Sequence, residues 1–435
     1  MAWAILWATM ARAKRAEIRE EELAGFKHFA KLRGLLAALH GHATERDKAH
    51  NRTLHYDQYL CLILLHLFNP VSQGLRSICR ASALPKVQKA LGVSHTSLGS
   101  FSEAARVFDP QLLEGIIGEL ARELRPVLHD TRLDEVRQVL TLVDGTILKA
   151  LPRIAEAMWL TDGSGNAHHA WRLHTHFELL KSAPARMDLS DALNSKGSSE
   201  RGVLERRVEA GRAYVMDRGF VKWSLFNAIV AKGSSYFCRV REDTRAELLE
   251  ERPLTDAARA AGVVRDAVVR LGATDKGAKP SASTDHPVRL IEIPITPHVK
   301  RGGRKGRDAG PANGGLLRVV TNRTDLPAEV VALVYRYRYA IEIFFRFFKQ
   351  LLGCRHLISG CADGVRIQCY CAMIACMLIN LYTARSVDRG TWEMACYLMN
   401  GWASEADLLT HLNRPDNGGV KRRAKDALWK KLGVE

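Results

Sequence analysis

The chain has 435 residues, about three times a typical domain length, so two or three domains around at least one sizeable core are expected. It is 47% hydrophobic and 26% charged, which excludes wholesale disorder, and 64 Lys+Arg against 47 Asp+Glu leave a net charge of +17. An excess of that size favours a polyanionic partner through phosphate contacts and counterion release, with nucleic acid ahead of a membrane surface. No run approaches the roughly 18 to 20 consecutive apolar residues of a membrane span, so a soluble chain without membrane contact is expected. In the N-terminal MAWAILWATMARAKR the charges follow the apolar run and no small-residue cleavage site comes after, so it reads as a fraying helix or a misplaced start. Nine cysteines without regular spacing point to a reducing, cytoplasmic setting and against a disulfide framework.

From about residue 17 to 135 the pattern is helical, with apolar residues at three-and-four spacing in YDQYLCLILLHLF and LLEGIIGELARELRPVL. Within it, Gly92 and Ser94 fall between two helical patterns, as in a helix-turn-helix unit or a plain helical hairpin. The period then becomes strand-like. VLTLVDGTIL, WRLHTHFEL, ARMDLSD, AYVMDRG and SYFCRVR make about five strands, and in the second of them His174 and His176 share one face, either as the polar side of a half-buried strand or as ligands.

Residues from about 242 to 325 read as a β-rich insertion with strand candidates VRLIEIPI and LLRVVTN. Between them the run Lys300 to Arg307, KRGGRKGR, looks like a basic loop suited to phosphate contact or simply solvated. The last third returns to helix: Asp325 is placed to cap a helix running from about 327 to 352, with Gly353 as its C-terminal cap. Two further helices, about 364 to 385 and 390 to 412, precede a basic tail. Cys354, Cys361, Cys369, Cys371 and Cys376 beside His356 invite a zinc reading, but no CxxC pair accompanies them, and Cys369 to Cys376 lie in an apolar run that reads as a buried helix. The domain plan is therefore 1–135 helical, 136–241 first part of an α/β core, 242–325 insertion, 326–385 core helices, and 386–435 a helical end with the tail.

Three acidic residues stand out. Asp144 ends the β-rich run VLTLV before Gly145-Thr146, and Asp217 ends AYVM before Arg218-Gly219-Phe220. Glu342 lies on the helix at 327 to 352 with Tyr335, Arg338 and Lys349, offsets that fall within a stripe about 60° wide on a helix otherwise rich in Phe. Charges amid that much apolar surface need partners, and metal ions or phosphates would serve. Carboxylates are the hard donors that Mg²⁺ or Mn²⁺ prefer.

The spacing Tyr335-x2-Arg338-x3-Glu342-x6-Lys349 resembles the YREK signature of the IS-four family of bacterial DDE transposases, and the two aspartates resemble that family's first and second Asp motifs. The resemblance covers about 140 to 385. It implies an RNase H-like core, a mixed five-stranded sheet flanked by helices, with a β-rich insertion before the Glu-bearing helix. It further implies that Asp144, Asp217 and Glu342 hold two Mg²⁺ or Mn²⁺ ions, while Tyr335, Arg338 and Lys349 contact phosphates of the transposon end. Family members often carry Trp after the motif Arg and Tyr after the second Asp-Arg-Gly, where this chain has Tyr339 and Phe220. Cut-and-paste transposition of an insertion sequence on double-stranded DNA, at inverted-repeat ends and target, by a homodimer, is the activity implied. An inactive or domesticated DNA-binding protein and a stand-alone metal-dependent nuclease are the alternatives.

Overall fold

Helix gives way to sheet and sheet to helix along the chain, as the change of apolar period requires. The computed structural model describes residues 27–42, 46–47, 52–69, 72, 74–149, 158–161, 167–191, 199–272, 283–294, 315–352 and 357–414. The N-terminal apolar run, Lys300 to Arg307, Gly353, Cys354, His356 and the basic tail lie outside them.

Before the sheet come α1 (Lys27–Ala37), α2 (Tyr56–Phe68), α3 (Leu75–Ser82), α4 (Pro85–Leu91), α5 (Leu98–Val107) and α6 (Leu112–Glu123), and among the described residues no strand precedes Val139. The apolar stripe of α2 buries Tyr56, Tyr59, Leu60, Ile63 and Leu67, with Tyr56 stacked on Phe108 at 4.5 Å. Pro85 opens α4, where a missing N–H is harmless. Gly92 ends it at φ 68°, a left-handed conformation that a side chain would strain, and Ser97 caps α5 by accepting from Ser100 N.

The sheet region holds β1 (Val139–Lys149), β2 (Met158–Thr161), β3 (Ala167–Glu178), β4 (Ala183–Asp191), α7 (Glu200–Arg206), β5 (Arg212–Met216), α8 (Trp223–Ala231) and β6 (Ser235–Val240). β7 (Ala246–Glu251), α9 (Asp256–Ala260), β8 (Arg265–Leu271), β9 (Val288–Pro294) and β10 (Leu316–Thr321) follow. β3 runs antiparallel to both β1 and β4, whereas β1, β5 and β6 are parallel neighbours. The unit β4-β3-β1-β5-β6 is consistent with an RNase H-like arrangement, but a sheet of five strands was too small an expectation. The path β2-β3-β1-β5-β6-β10-β9-β8-β7 has nine strands, with β4 beside β3 as the tenth. The physical reason is the edge of β6: its backbone groups need partners, and β10 supplies them antiparallel, Val320 opposite Cys238, with β9, β8 and β7 added outward. The insertion is thus a continuation of the sheet.

Strand alternation sorts the core onto two faces. Leu140, Leu142 and Leu148 of β1 join a large apolar cluster shared with the N-terminal and C-terminal helices, while Val143 joins Leu204, Tyr214, Met216 and Phe226 on the other face. The C-terminal helices are α10 (Ala328–Arg336), α11 (Tyr339–Leu351), α12 (Ala362–Thr383), α13 (Arg389–Met399) and α14 (Glu405–Asn413). By length and composition α12 could cross a membrane, but 89% of its apolar window is buried within the fold, where it serves as the central core helix. Cys369, Cys371 and Cys376 are buried free thiols in it, as the apolar run led us to expect.

The expected single helix from 327 to 352 is two. Arg338 N bonds to Tyr335 O and Ala340 N to Tyr337 O at 2.9 Å, three-residue spacings that tighten the chain between α10 and α11. Pro327, not Asp325, is the N-cap residue of α10; Asp325 pairs with Arg323 at 2.7 Å.

Candidate active site

β1 pairs with β5 only from Val139 to Leu142, whereas its pairing with β3 continues to Lys149. Asp144 therefore sits within the strand, not at its end, just beyond the last β5 partner and level with the chain leaving β5. Asp217 begins there. Its side chain caps the short turn Arg218–Phe220 by accepting from Gly219 N. Asp144 accepts from Gly145 N at 2.8 Å. Burial lifts the Asp144 pKa to about 6, and the negative charges of Glu200 and Asp217 push the same way, against the Gly145 N–H and Arg338.

Arg338, in the tight turn before α11, is 18% exposed and lies between two carboxylates: Nη1 is 3.6 Å from Asp144 Oδ2, and Nη2 forms an ion pair with Glu342 in the first turn of α11. Burial opposes its charge, but Tyr335, Glu342 and Asp144 outweigh that and raise its pKa. Tyr335, at the end of α10, is buried, which drives its hydroxyl pKa up; Arg338 and Asp217 both act on it electrostatically. Lys349 lies two turns beyond Glu342, about 10 Å along the axis, half-buried and without an ion-pair partner among the described residues. The structure thus gathers Asp144, Asp217, Tyr335, Arg338 and Glu342 and sets Lys349 further along the same helix. Tyr339 is exposed and covered by the Arg346 guanidinium, whereas Phe220 is buried.

Among the described residues no three His, Cys, Asp or Glu side chains stand close enough to grip one ion. Arg338 lies between Asp144 and Glu342, a cation where carboxylates would otherwise repel.

Three side chains beside these were not singled out by the sequence. Glu200, first residue of α7, accepts from Arg172 Nη1 of β3 at 2.9 Å and reaches Gly145. Thr175 is the cross-strand partner of Asp144, and its hydroxyl is buried without a hydrogen-bond partner among the described residues. The only sequence signal for Glu200 is the Ser199-Glu200 pair at a helix start. His174 and His176 correct the expectation of a half-buried polar face: both are buried, burial pushes each pKa down to about 4, and His174 bonds Ser190 Oγ at 2.8 Å. They are neutral core residues.

A parallel β1-β5 pair with an aspartate at or just past its end, a glutamate on a following helix and Arg338 among them is the arrangement that the resemblance to DDE transposases implies. Residues 136–379, more than half of the chain, match the family described as Transposase DDE domain, and the chain belongs to that family. It is 25% identical over 268 residues to a putative transposase, y4zB, of Sinorhizobium fredii, an alignment covering 61% of this chain and 65% of that protein. It is 28% identical over 209 residues to a probable transposase for insertion sequence element IS5377 of Geobacillus stearothermophilus, covering 48% of each. The chain thus spans less than two thirds of the length of either curated relative. A cryo-EM structure of the piggyBac transposase synaptic complex with hairpin DNA aligns with a TM-score of 0.38 at 9% identity, over 82% of this chain and 69% of that one.

Proposed function

We propose that the protein is a DNA transposase of the IS-four type that cuts an insertion sequence from donor DNA and joins it to a target. The observation that carries this reading is Arg338 standing between Asp144 and Glu342, with Asp217 acting on Asp144, in the YREK spacing and within a chain of the DDE family. The net charge of +17 supports a DNA partner.

By their chemistry the carboxylates suit two divalent ions such as Mg²⁺ or Mn²⁺, and to hold them Arg338 would have to leave its place between Asp144 and Glu342. Their donors are all carboxylate oxygens, the ionised form of Asp144 is disfavoured by burial and by its acidic neighbours, and the Thr175 hydroxyl opposite it is left unsatisfied. When bound, such ions activate an attacking oxygen and stabilise the leaving 3′ oxygen of a phosphodiester. Asp144, Asp217 and Glu342 would hold and orient them. Arg338, freed from its carboxylate partners, would face a phosphate, where a charge-assisted bidentate contact is strongest, and Lys349 would contact the end further along α11. Tyr335, buried against Arg338, supports that end contact. The freed 3′ hydroxyl is the next nucleophile, so one site serves both cutting and joining. Paired cutting of two ends calls for a homodimer acting on chromosomal or plasmid DNA in the bacterial cytoplasm.

The test is a reaction with labelled DNA carrying the element's inverted-repeat ends, a target plasmid and Mg²⁺. Joined product supports the transposase reading. Cleavage without joining makes the protein a nuclease, and binding without cleavage makes it an inactive DNA-binding relative.

A further inference from the structure

The acidic side chains around Asp144 include one that the three-carboxylate signature does not contain. Glu200 comes to the sheet from the face opposite Asp144, on a helix whose Leu204 packs with Val143, and reaches the strip of β1 that β5 no longer covers. Its Oε1 accepts from Arg172 Nη1 at 2.9 Å, and the Arg172 side chain is only 14% exposed. Its carboxylate lies against Gly145: a Cβ there would stand 3.0 Å from Glu200 Cδ and closer still to Oε1. Its other oxygen is 3.8 Å from the place a Cβ on Gly219 would take, a point 3.0 Å from Asp217 Oδ1. One carboxylate therefore packs on the backbone that follows the first aspartate and approaches the backbone that follows the second.

Pairing with Arg172 alone does not require this position. An arginine can be satisfied by a carboxylate anywhere along its fork, yet this one is set between the two Asp-bearing segments, where its charge acts on Asp144 more strongly than that of Asp217 does. Carboxylates concentrated at a partly buried point need a cation among them. Among the described residues Arg338 serves Asp144 and Glu342 and no ion pair joins it to Glu200 or Asp217, while the Thr175 hydroxyl, fully buried on the Asp144 face, has no hydrogen-bond partner.

We propose that Glu200 is a fourth carboxylate of the metal centre, reaching the ion site from the opposite sheet face beside Asp217, with Arg172 fixing its orientation. The inference rests on the two-ion reading of the site. The glycine at 145 is part of the arrangement, because any side chain there displaces Glu200.

Mn²⁺ binding to the purified full chain without DNA, followed by the paramagnetic signal of free Mn²⁺, tests it on wild type, Glu200→Gln, Gly145→Ala and Asp144→Asn, with melting temperature in EDTA measured beside it. Glu200→Gln keeps an acceptor for Arg172 and removes the charge. Its Mn²⁺ affinity is expected to fall about 10- to 100-fold with an unchanged or raised melting temperature in EDTA, and Gly145→Ala to weaken binding in the same direction. If Asp144→Asn loses Mn²⁺ while both other variants bind as wild type does, Glu200 is only the partner of Arg172 and the proposal fails. A Glu200→Gln chain that melts lower in EDTA but binds Mn²⁺ normally overturns it equally. If Asp144→Asn also binds as wild type does, the two-ion reading itself fails.

Discussion

Asn in place of Asp144 tests the electrostatics of the site without any metal. The Asp144 carboxyl has its pKa lifted from an ordinary 3.8 to about 6, by burial first and then by Glu200 and Asp217. A carboxyl with a folded-state pKa above its unfolded value contributes its full stability below the unfolded value. That contribution is lost as the pH rises through the folded one, here between about pH 4 and 6. A shift of about two units, at about 1.4 kcal/mol each, sets the loss near 3 kcal/mol at most. Asp144 is 23% exposed, so the realised loss is smaller. Asn keeps an acceptor for Gly145 N and removes the charge, while Arg338 keeps Glu342. In EDTA at about pH 7.5, Asp144→Asn should therefore be more stable than wild type by about 1 to 3 kcal/mol, and the difference should close as the pH falls toward about 4. Urea denaturation of both proteins across that range measures it. A variant less stable at every pH, or a difference that does not change with pH, refutes the argument.

Arg338→Met removes the cation shared by Asp144 and Glu342; because Glu342 is 38% exposed, stability should fall by only about 1 kcal/mol or less, while affinity for cleaved DNA ends falls by about 1.5 to 3 kcal/mol. Melting temperature measured beside end binding separates the two, and a large stability loss with unaltered affinity per folded molecule contradicts the phosphate role. In the sheet extension, Arg289 of β9 and Asp266 of β8 form a bidentate pair at 2.9 and 2.7 Å, both nearly fully buried. Arg289→Met leaves Asp266 as a buried, unpaired charge and should cost about 3 to 5 kcal/mol, read as a lowered melting temperature; a drop no larger than that of a surface substitution shows that the pair does not hold the extension together.

Much of the core was legible in the sequence because its signals are local. The alternation in WRLHTHFEL and the β-rich run before Asp144 became β3 and β1, and the apolar run at Cys369 to Cys376 became the middle of α12. Asp144, Asp217, Arg338 and Glu342 were singled out because fixed spacings carried them, and the fold brings them near one another. What escaped depends on contacts distant in sequence. Nothing in SYFCRVR says that its outer edge is completed by LLRVVTN, so the sheet was undercounted. β7, AELLEE, has almost no buried residue and exists because β8 offers it an edge. His174 and His176 were assigned to a polar face because a period of two reveals alternation but not whether both faces are covered. The break at Tyr337 and Arg338 was hidden by a pattern that stays helical on both sides, although Tyr337 leaves it to bond Asp130 at 2.8 Å and Arg338 turns to Asp144. Glu200 is one Glu among many until the fold brings it to Gly145.

Single-turnover cleavage of end DNA with Mg²⁺ by Asp144→Ala, Asp217→Ala and Glu342→Ala, each beside wild type and each checked for folding and end binding, tests whether these three carboxylates form the catalytic centre. Every variant is expected to lose strand cleavage while binding ends within a few fold of wild type, because the three carboxylates hold the ions and other surfaces hold the DNA. Cleavage near the wild-type rate by any one of them contradicts it, and removes that residue from the catalytic centre.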